Sequence, residues 1–236
     1  MQDYFKVENI EYTTNGFGLF SWGHLLWILI GIAFCIAMCR IYRKSVSRKA
    51  IRYIVVFSAL FLELFRAFLL IRTNQYDVYH LPLHLCGLSV YITLIHALTG
   101  KPRLWQFLYA FCFPGAVFAI LFPDWYYYPL FNVLTSIGFE LHILIVTYIL
   151  MQLCEQKPDI KYAAGNILII VLIALPVFFF NRIFDTNYMF LNYPVMPLTL
   201  FSFLGRPLYL LGYIPLIVIC WAIMYIPFRK KAKNSI

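Results

Sequence analysis

Seven apolar stretches, each about as long as a bilayer is thick, constrain the fold of this chain more than any other feature. They cover residues 19–41, 53–72, 81–98, 104–122, 130–153, 164–184 and 208–228. A helix needs about 20 mostly apolar residues to cross the hydrocarbon core, and there it satisfies its own backbone hydrogen bonds. The sequence therefore predicts an all-α, polytopic bundle of about seven transmembrane helices, forming a single transmembrane domain over residues 1–236.

The composition agrees with a membrane protein and excludes a nucleic-acid partner. Charged residues make up 12% of the chain and hydrophobic residues 63%, with a mean hydropathy of +0.79. A soluble domain carries about 25% charged residues. The net charge of +9 comes from short basic clusters between the apolar stretches, and these clusters do not form one continuous polar face.

The distribution of Lys and Arg predicts the orientation. Fourteen of the nineteen lie in alternate connections and in the C-terminal tail, four lie in the other connections, and Arg66 lies inside a predicted span. Cytoplasmic loops carry the excess of basic residues in multi-pass proteins. We therefore expect an outside N-terminus and a cytoplasmic C-terminus in a multi-pass protein of the cell membrane. The proline-rich stretch 185–207 is then an outer interfacial or re-entrant loop.

Glu63 and Arg66 are ionisable residues in the middle of the second apolar stretch. They are three positions apart, so they share one helix face and can form an ion pair. Such residues usually face a bundle interior or a cavity. Two interpretations stay open: a buried pair that fixes helix packing, or an Arg66 that binds an anionic group while Glu63 tunes it.

Cys86 and His142 are the candidate catalytic residues. Cys86 heads a polar stripe of Ser89, Thr93 and His96 on the third stretch, and His142 lies in the middle third of the fifth. A thiol becomes a nucleophile when a base raises its thiolate fraction. A Cys and a His on different helices are the minimum set for covalent acyl transfer. Alternatively, Cys86 is a small buried side chain and His142 a hydrogen bond between helices.

Two further interpretations rest on the same buried polar residues. Imidazole and carboxylate groups bind zinc, although the sequence has no HExxH run to place them. The candidate ligands would be His80, His84, Glu63, Glu140 and His142. The other possibility is a transporter or lipid-binding protein, in which the ion pair and the histidines form a binding or proton-relay site.

Several motifs give the chain a resemblance to a known family. They are FSWGHL at 20–25, LPLHLCGLS at 81–89, FPDW at 122–125, FELH at 139–142 and TNYMFL at 186–191. In this order they resemble the YwaF-like bacterial membrane proteins and the related transmembrane-protein-164 acyltransferase family. The resemblance implies a multi-helix fold and a cysteine-dependent transfer of fatty acyl chains onto lysophospholipid. It places the catalytic Cys on Cys86 and the catalytic His on His142.

Together these observations predict a membrane-embedded acyltransferase that moves a fatty acyl chain between lipids, either phospholipid and lysophospholipid or lipoprotein, through a cysteine thioester. A non-enzymatic transporter or lipid-binding protein is the alternative. We expect a cavity open toward the outer leaflet, lined by His24, Glu63, Arg66, His84, Cys86 and His142. Asn187 and Tyr188 would cap its entrance. Neither a cofactor nor a metal is expected, since the acyl donor would itself be a membrane lipid.

Overall fold

The computed structural model describes Tyr4 and residues 16–228, and every regular element in this part of the chain is helical. Lys6 and the basic tail at 229–236, which contribute to the predicted orientation, lie outside the described residues. The helices are α1 (Trp22–Lys44), α2 (Arg48–Arg72), α3 (Leu85–Thr99), α4 (Pro102–Leu121), α5 (Val133–Leu153), α6 (Ile160–Phe184) and α7 (Leu208–Phe228).

Six of these helices are long and apolar enough to cross a membrane, and α3 is shorter. The all-α multi-pass fold is therefore confirmed. The third predicted span, 81–98, differs from the prediction because its helix is shorter than a membrane-crossing helix. Its helix has 15 residues, a length of about 22 Å against a core of about 30 Å. It begins only at Leu85 because Pro82 lacks a backbone donor and disfavours a helical residue before it.

The loop 73–84 therefore takes the place of the missing first turns of α3. Gly87 lets this loop fold closely over the helix start, since a Cβ at this position would lie 3.1 Å from the Cα and the carbonyl oxygen of Pro82. Irregular backbone near membrane depth is tolerated where it is buried in protein or lines a cavity. This arrangement brings His84 and Cys86 to the start of a helix instead of its middle.

α5 is the central helix of the bundle. It packs against α1, α2, α3 and α4, and most of its residues are buried. Gly31 of α1 permits one close approach, because a Cβ there would lie 3.0 Å from a side-chain carbon of Ile143. His96 on α3 is joined to Tyr148 on α5 by a hydrogen bond of 2.6 Å. The candidate base His142 thus stands on the most firmly held helix.

α4 contains one π-helical turn, Leu108–Cys112, which ends two residues before Pro114. A proline has no N–H to donate to the carbonyl four residues earlier, which here belongs to Ala110. The indole Nε1–H of Trp221 on α7 donates to that carbonyl at 2.8 Å. A long-range side chain therefore supplies the hydrogen bond that the proline removes, and it ties α7 to α4.

Candidate functional site

One cavity of about 820 Å³ lies between α2–α7 and the loops 73–84, 122–132 and 185–207. Because successive helices run in opposite directions, these three loops meet at the same end of the bundle. Polar and ionisable side chains of α2, α3, α5 and the loops 73–84 and 122–132 line one part of the cavity: Glu63, Arg66, Asp77, His80, His84, Cys86, Asp124 and His142. Apolar side chains of α4, α6 and α7 line the other part, among them Phe111, Phe118, Ile170, Val171, Leu216 and Ile217. The cavity is therefore amphipathic in the way a lipid is.

Cys86 is the second residue of α3 and lines the cavity. The first N–H groups of a helix have no partner within it and favour negative charge. The side chain of the N-cap residue, His84, makes no capping hydrogen bond to α3. Ser89, Thr93 and His96, the rest of the predicted polar stripe, are buried between helices and bond to neighbouring groups. Only the thiol at the head of the stripe reaches the cavity.

His142 lines the same cavity and has one free ring nitrogen. Its Nδ1 lies 2.6 Å from the carbonyl oxygen of Gly138, which only accepts, so Nδ1 carries the proton. The other nitrogen, Nε2, is buried and has no hydrogen-bond partner among the described residues. Neutral His142 therefore presents a lone pair on Nε2, as a general base must.

Trp125 holds the His142 ring from one side. The two rings are stacked, with centroids 5.0 Å apart and an interplanar angle of 22°. Gly138 makes room for the indole, because a Cβ at this position would lie 2.8 Å from Cε2 of Trp125. Gly138, one turn before His142, thus permits the stacking because it has no side chain, and its carbonyl fixes the tautomer of His142.

Glu63 and Arg66 form the predicted ion pair and both line the cavity. Arg66 Nη2 donates to Glu63 Oε1 at 2.8 Å, and Nε to Oε2 at 3.4 Å. Arg66 Nη2 also donates to the carbonyl of His80 at 3.3 Å, which ties α2 to the loop 73–84. The His80 ring in turn bonds to Asp77 at 2.8 Å. Glu63, Arg66 and Asp77 thus each have a bonded partner beside them.

His84 lies immediately before α3, and its Nδ1 accepts a hydrogen bond of 3.3 Å from the backbone N–H of Met189. Its ring packs edge-on against Tyr188, with centroids 5.0 Å apart. His80 and His84 do not share a helical face, since both lie in the loop before α3. His84 lines the cavity.

Asn187 and Tyr188 do not line the cavity; they order the loop that does. The Asn187 side chain accepts from the N–H groups of Asn192 and Tyr193. Burial raises the pKa of Tyr188 to about 12, so this phenol stays protonated and donates to the Val78 carbonyl at 2.7 Å. Their neighbours Met189, Phe190 and Leu191 supply the lining.

His24 also lies outside the lining, because α1 contributes nothing to the cavity. Its Nδ1 accepts from the N–H of Phe20 at 2.9 Å, and its Nε2 bonds to the carbonyl of Ile120 at 2.8 Å. With both nitrogens used and no exposed surface, His24 joins the start of α1 to the end of α4. The motif FSWGHL is accounted for by this contact and by Ser21, which caps α1.

Asp124 and Trp125 are cavity residues that the sequence did not single out. Both belong to the motif FPDW, and the available signal was a carboxylate between aromatic residues directly after an apolar stretch. The Asp124 carboxylate interacts electrostatically with His84, Cys86 and His142. A negative charge near an imidazole stabilises the imidazolium that forms when the base takes up a proton.

The proposed zinc ligands are not brought together. Glu140 is exposed on the outer side of α5, and within the described part of the chain no three His, Cys, Asp or Glu residues form a group suited to a metal ion. Glu140 and His142 are two positions apart, which places them on different faces of a helix.

The fold and the cavity define a multi-pass helical membrane protein with an amphipathic cavity between its helices. A family model, that of the TMEM164 family, matches residues 19–225, from just before α1 to the last turn of α7. The chain therefore belongs to the TMEM164 family, which confirms this part of the resemblance inferred from the motifs; the match does not test the YwaF-like bacterial label. No curated protein and no solved structure gave a significant match.

Proposed function

We propose that this protein moves a fatty acyl chain from one membrane lipid to another through a thioester on Cys86. One observation carries the proposal: Cys86 and His142, whose Nε2 is buried without a hydrogen-bond partner among the described residues, both line a single cavity with a polar part and an apolar part. A thiol and a base in one site provide nucleophilic catalysis. An amphipathic cavity provides the environment for a lipid ester.

The first half of the reaction forms the acyl enzyme. His142 Nε2 takes the Cys86 proton while the sulfur attacks the ester carbonyl carbon of the donor lipid. A C–S bond forms, the ester C–O bond breaks, and His142 returns the proton to the leaving oxygen. The products are the acyl thioester and a lipid with a free hydroxyl. The N–H groups at the start of α3 stabilise the negative charge that develops nearby.

The second half transfers the chain. A hydroxyl or amine of the acceptor lipid loses its proton to His142 as it attacks the thioester carbon. The new C–O or C–N bond replaces the C–S bond, and the proton returns to the sulfur. The two steps together consume no water and change no oxidation state. The donor lipid supplies the acyl group without a soluble cofactor. Phospholipid with lysophospholipid, or a lipoprotein, satisfies this chemistry.

The cavity fits these substrates in size and polarity. Its volume of about 820 Å³ falls within the range of about 300–1,000 Å³ found for small-molecule sites. Arg66 in the polar part of the cavity is suited to a lipid phosphate, because a guanidinium matches phosphate oxygens in pairs. The apolar surface of α4, α6 and α7 is suited to the acyl chain.

Intact-protein mass spectrometry after incubation with membrane phospholipids tests the proposal. We expect an acyl adduct on Cys86 that neutral hydroxylamine releases, as a thioester requires. Cys86→Ala should abolish both the adduct and acyl exchange, with little change in folding because it removes one sulfur atom beside a cavity. His142→Ala should slow adduct formation by roughly 10²–10⁴-fold, the usual contribution of a general base.

Cys39→Ala is the matched control. Cys39 is partly exposed near the C-terminal end of α1 and lies outside the cavity. This variant should keep the adduct and the exchange activity of the wild type. A folded preparation that forms no Cys86 adduct, together with full acyl exchange by Cys86→Ala, would refute the proposal and leave a lipid-binding or transport role.

A further inference from the structure

The two histidines of the cavity present opposite hydrogen-bonding groups to it. A carbonyl bound to Nδ1 makes Nδ1 of His142 the protonated nitrogen and leaves Nε2 as an acceptor. In His84 the partner of Nδ1 is instead a backbone donor, the N–H of Met189. Nδ1 of His84 must therefore be unprotonated, so the proton of the neutral ring lies on Nε2. His84 thus offers an N–H where His142 offers a lone pair.

Nε2–H is the polar group that His84 contributes to the cavity. Among the described residues no hydrogen bond to this nitrogen occurs, while Nδ1 is occupied by Met189. His84 lines the cavity two positions before Cys86, at the helix start that holds the thiol. A neutral imidazole N–H close to a nucleophile is a donor for the oxygen that becomes negative during attack.

The backbone that fixes this tautomer is held from several sides. Met189 and Phe190 have φ of +52° and +53°, a left-handed conformation that non-glycine residues seldom adopt. Three side chains donate to the carbonyls of this strained segment: Asn181 to Tyr188, Tyr213 to Met189 and Tyr209 to Phe190. Such strain persists only when the surrounding structure determines it, and it concentrates at functional sites.

We propose that His84 is a catalytic residue that donates its Nε2–H to the tetrahedral oxyanion on the acyl carbon, during both formation and breakdown of the Cys86 thioester. This inference rests on the proposed function. No proton is transferred by His84: its N–H stabilises the oxyanion, while His142 moves the proton between sulfur and lipid oxygen. The segment 188–190 acts as the positioning element, because its Met189 N–H keeps the donor on Nε2.

The test compares acylation of Cys86 with its alkylation in His84→Leu and His84→Gln. Acylation by a phospholipid ester passes through an oxyanion. Alkylation by an apolar N-alkyl iodoacetamide displaces iodide and develops no such charge, although it still needs the base. Single-turnover rates of both reactions are measured by mass spectrometry on the same detergent-purified protein.

We expect His84→Leu to slow acylation roughly 10²–10³-fold, the usual effect of losing one oxyanion donor, and to keep alkylation within about twofold of the wild type. His84→Gln should recover much of the acylation rate, because its amide also donates. His142→Ala should slow both reactions. Retained alkylation that still depends on His142 shows that the site of the variant is folded and that its thiol is activated.

Three results would overturn the inference alone, provided that the wild type acylates. The first is a wild-type rate of acylation in His84→Leu. The second is an equal loss of the acylation rate in His84→Gln and His84→Leu. The third is an equal loss of the alkylation and acylation rates in both variants, which would make His84 the base. A wild type that alkylates but never acylates Cys86 refutes the proposed function and, with it, the role of His84.

Discussion

A single glycine, Gly138, controls the surroundings of His142 in two ways. Its carbonyl accepts the proton of Nδ1, and its missing side chain admits the Trp125 ring that stacks on the imidazole. Each contact restricts the ring to one orientation. The basicity and the direction of Nε2 therefore depend on a residue with no chemistry of its own.

Gly138→Ala should displace Trp125, because the added methyl would lie 2.8 Å from Cε2 of the indole. An aromatic pair is worth about 0.5–1.5 kcal/mol, so we expect the rate of Cys86 acylation to fall by up to about tenfold. Mass spectrometry of the adduct measures the rate. Gly165→Ala on α6 is the control, since the added methyl would meet only the mobile end of Arg103. Equal rates in the two variants would contradict the role of the stacking.

The ion pair of Glu63 and Arg66 is a second residue-scale test. Arg66→Ala leaves Glu63, which is 6% exposed, without its partner. Breaking a buried pair costs about 3–5 kcal/mol, and the partial exposure of Arg66 should place the loss of unfolding free energy in the lower part of that range. Denaturation in mild detergent measures it.

The double variant Glu63→Gln, Arg66→Gln separates packing from function. It removes both charges, so it should regain most of the lost stability. If Arg66 binds a lipid phosphate, acyl exchange should stay low in the double variant. Full recovery of stability and activity together would make the pair purely structural.

At the scale of the element, the π-helical turn of α4 depends on a residue of α7. Pro114 leaves the Ala110 carbonyl without its helical donor, and Trp221 supplies the replacement. π-helical turns often occur at functional sites, and this one borders the cavity, which Ala110 and Trp221 both line. The same indole thus completes the backbone of α4 and shapes the apolar part of the cavity.

Trp221→Phe should destabilise the protein by about 1–3 kcal/mol, the cost of an unsatisfied buried carbonyl. Thermal unfolding in detergent measures the loss. Adding Pro114→Ala restores a donor four residues after Ala110, so the double variant should regain stability relative to Trp221→Phe alone. No gain from that second change would contradict the proposed cause of the π-helical turn.

At the scale of the whole molecule, the three loops at the polar end of the cavity are predicted to face outward. Val46 and Gln75 lie in exposed turns at the two ends of α2. In a background without native cysteines, Gln75→Cys should react with an impermeant maleimide in intact cells. Val46→Cys should react only after permeabilisation. The reverse pattern would invert the orientation and open the cavity toward the cytoplasmic leaflet.

The sequence by itself determined the class of fold, because the need to satisfy backbone groups in lipid leaves helices as the only solution for seven apolar stretches. It also determined the Glu63–Arg66 pair, since three positions on one helix fix their proximity. The family motifs selected Cys86 and His142, which the structure brings into one cavity. Each of these depends on local spacing or on length.

Only the tertiary structure decided which polar residues reach the cavity. An apolar stretch has no polar face to mark its inner side. The sequence therefore did not show that His24 forms a hydrogen bond between α1 and α4, or that Glu140 faces outward. The start of α3 depends on the contact of Gly87 with the loop before it. The protonated nitrogen of His84 depends on Met189, which lies 105 positions away along the chain. Contacts between residues so distant in sequence arise from packing, and packing assigned the two histidines their complementary groups.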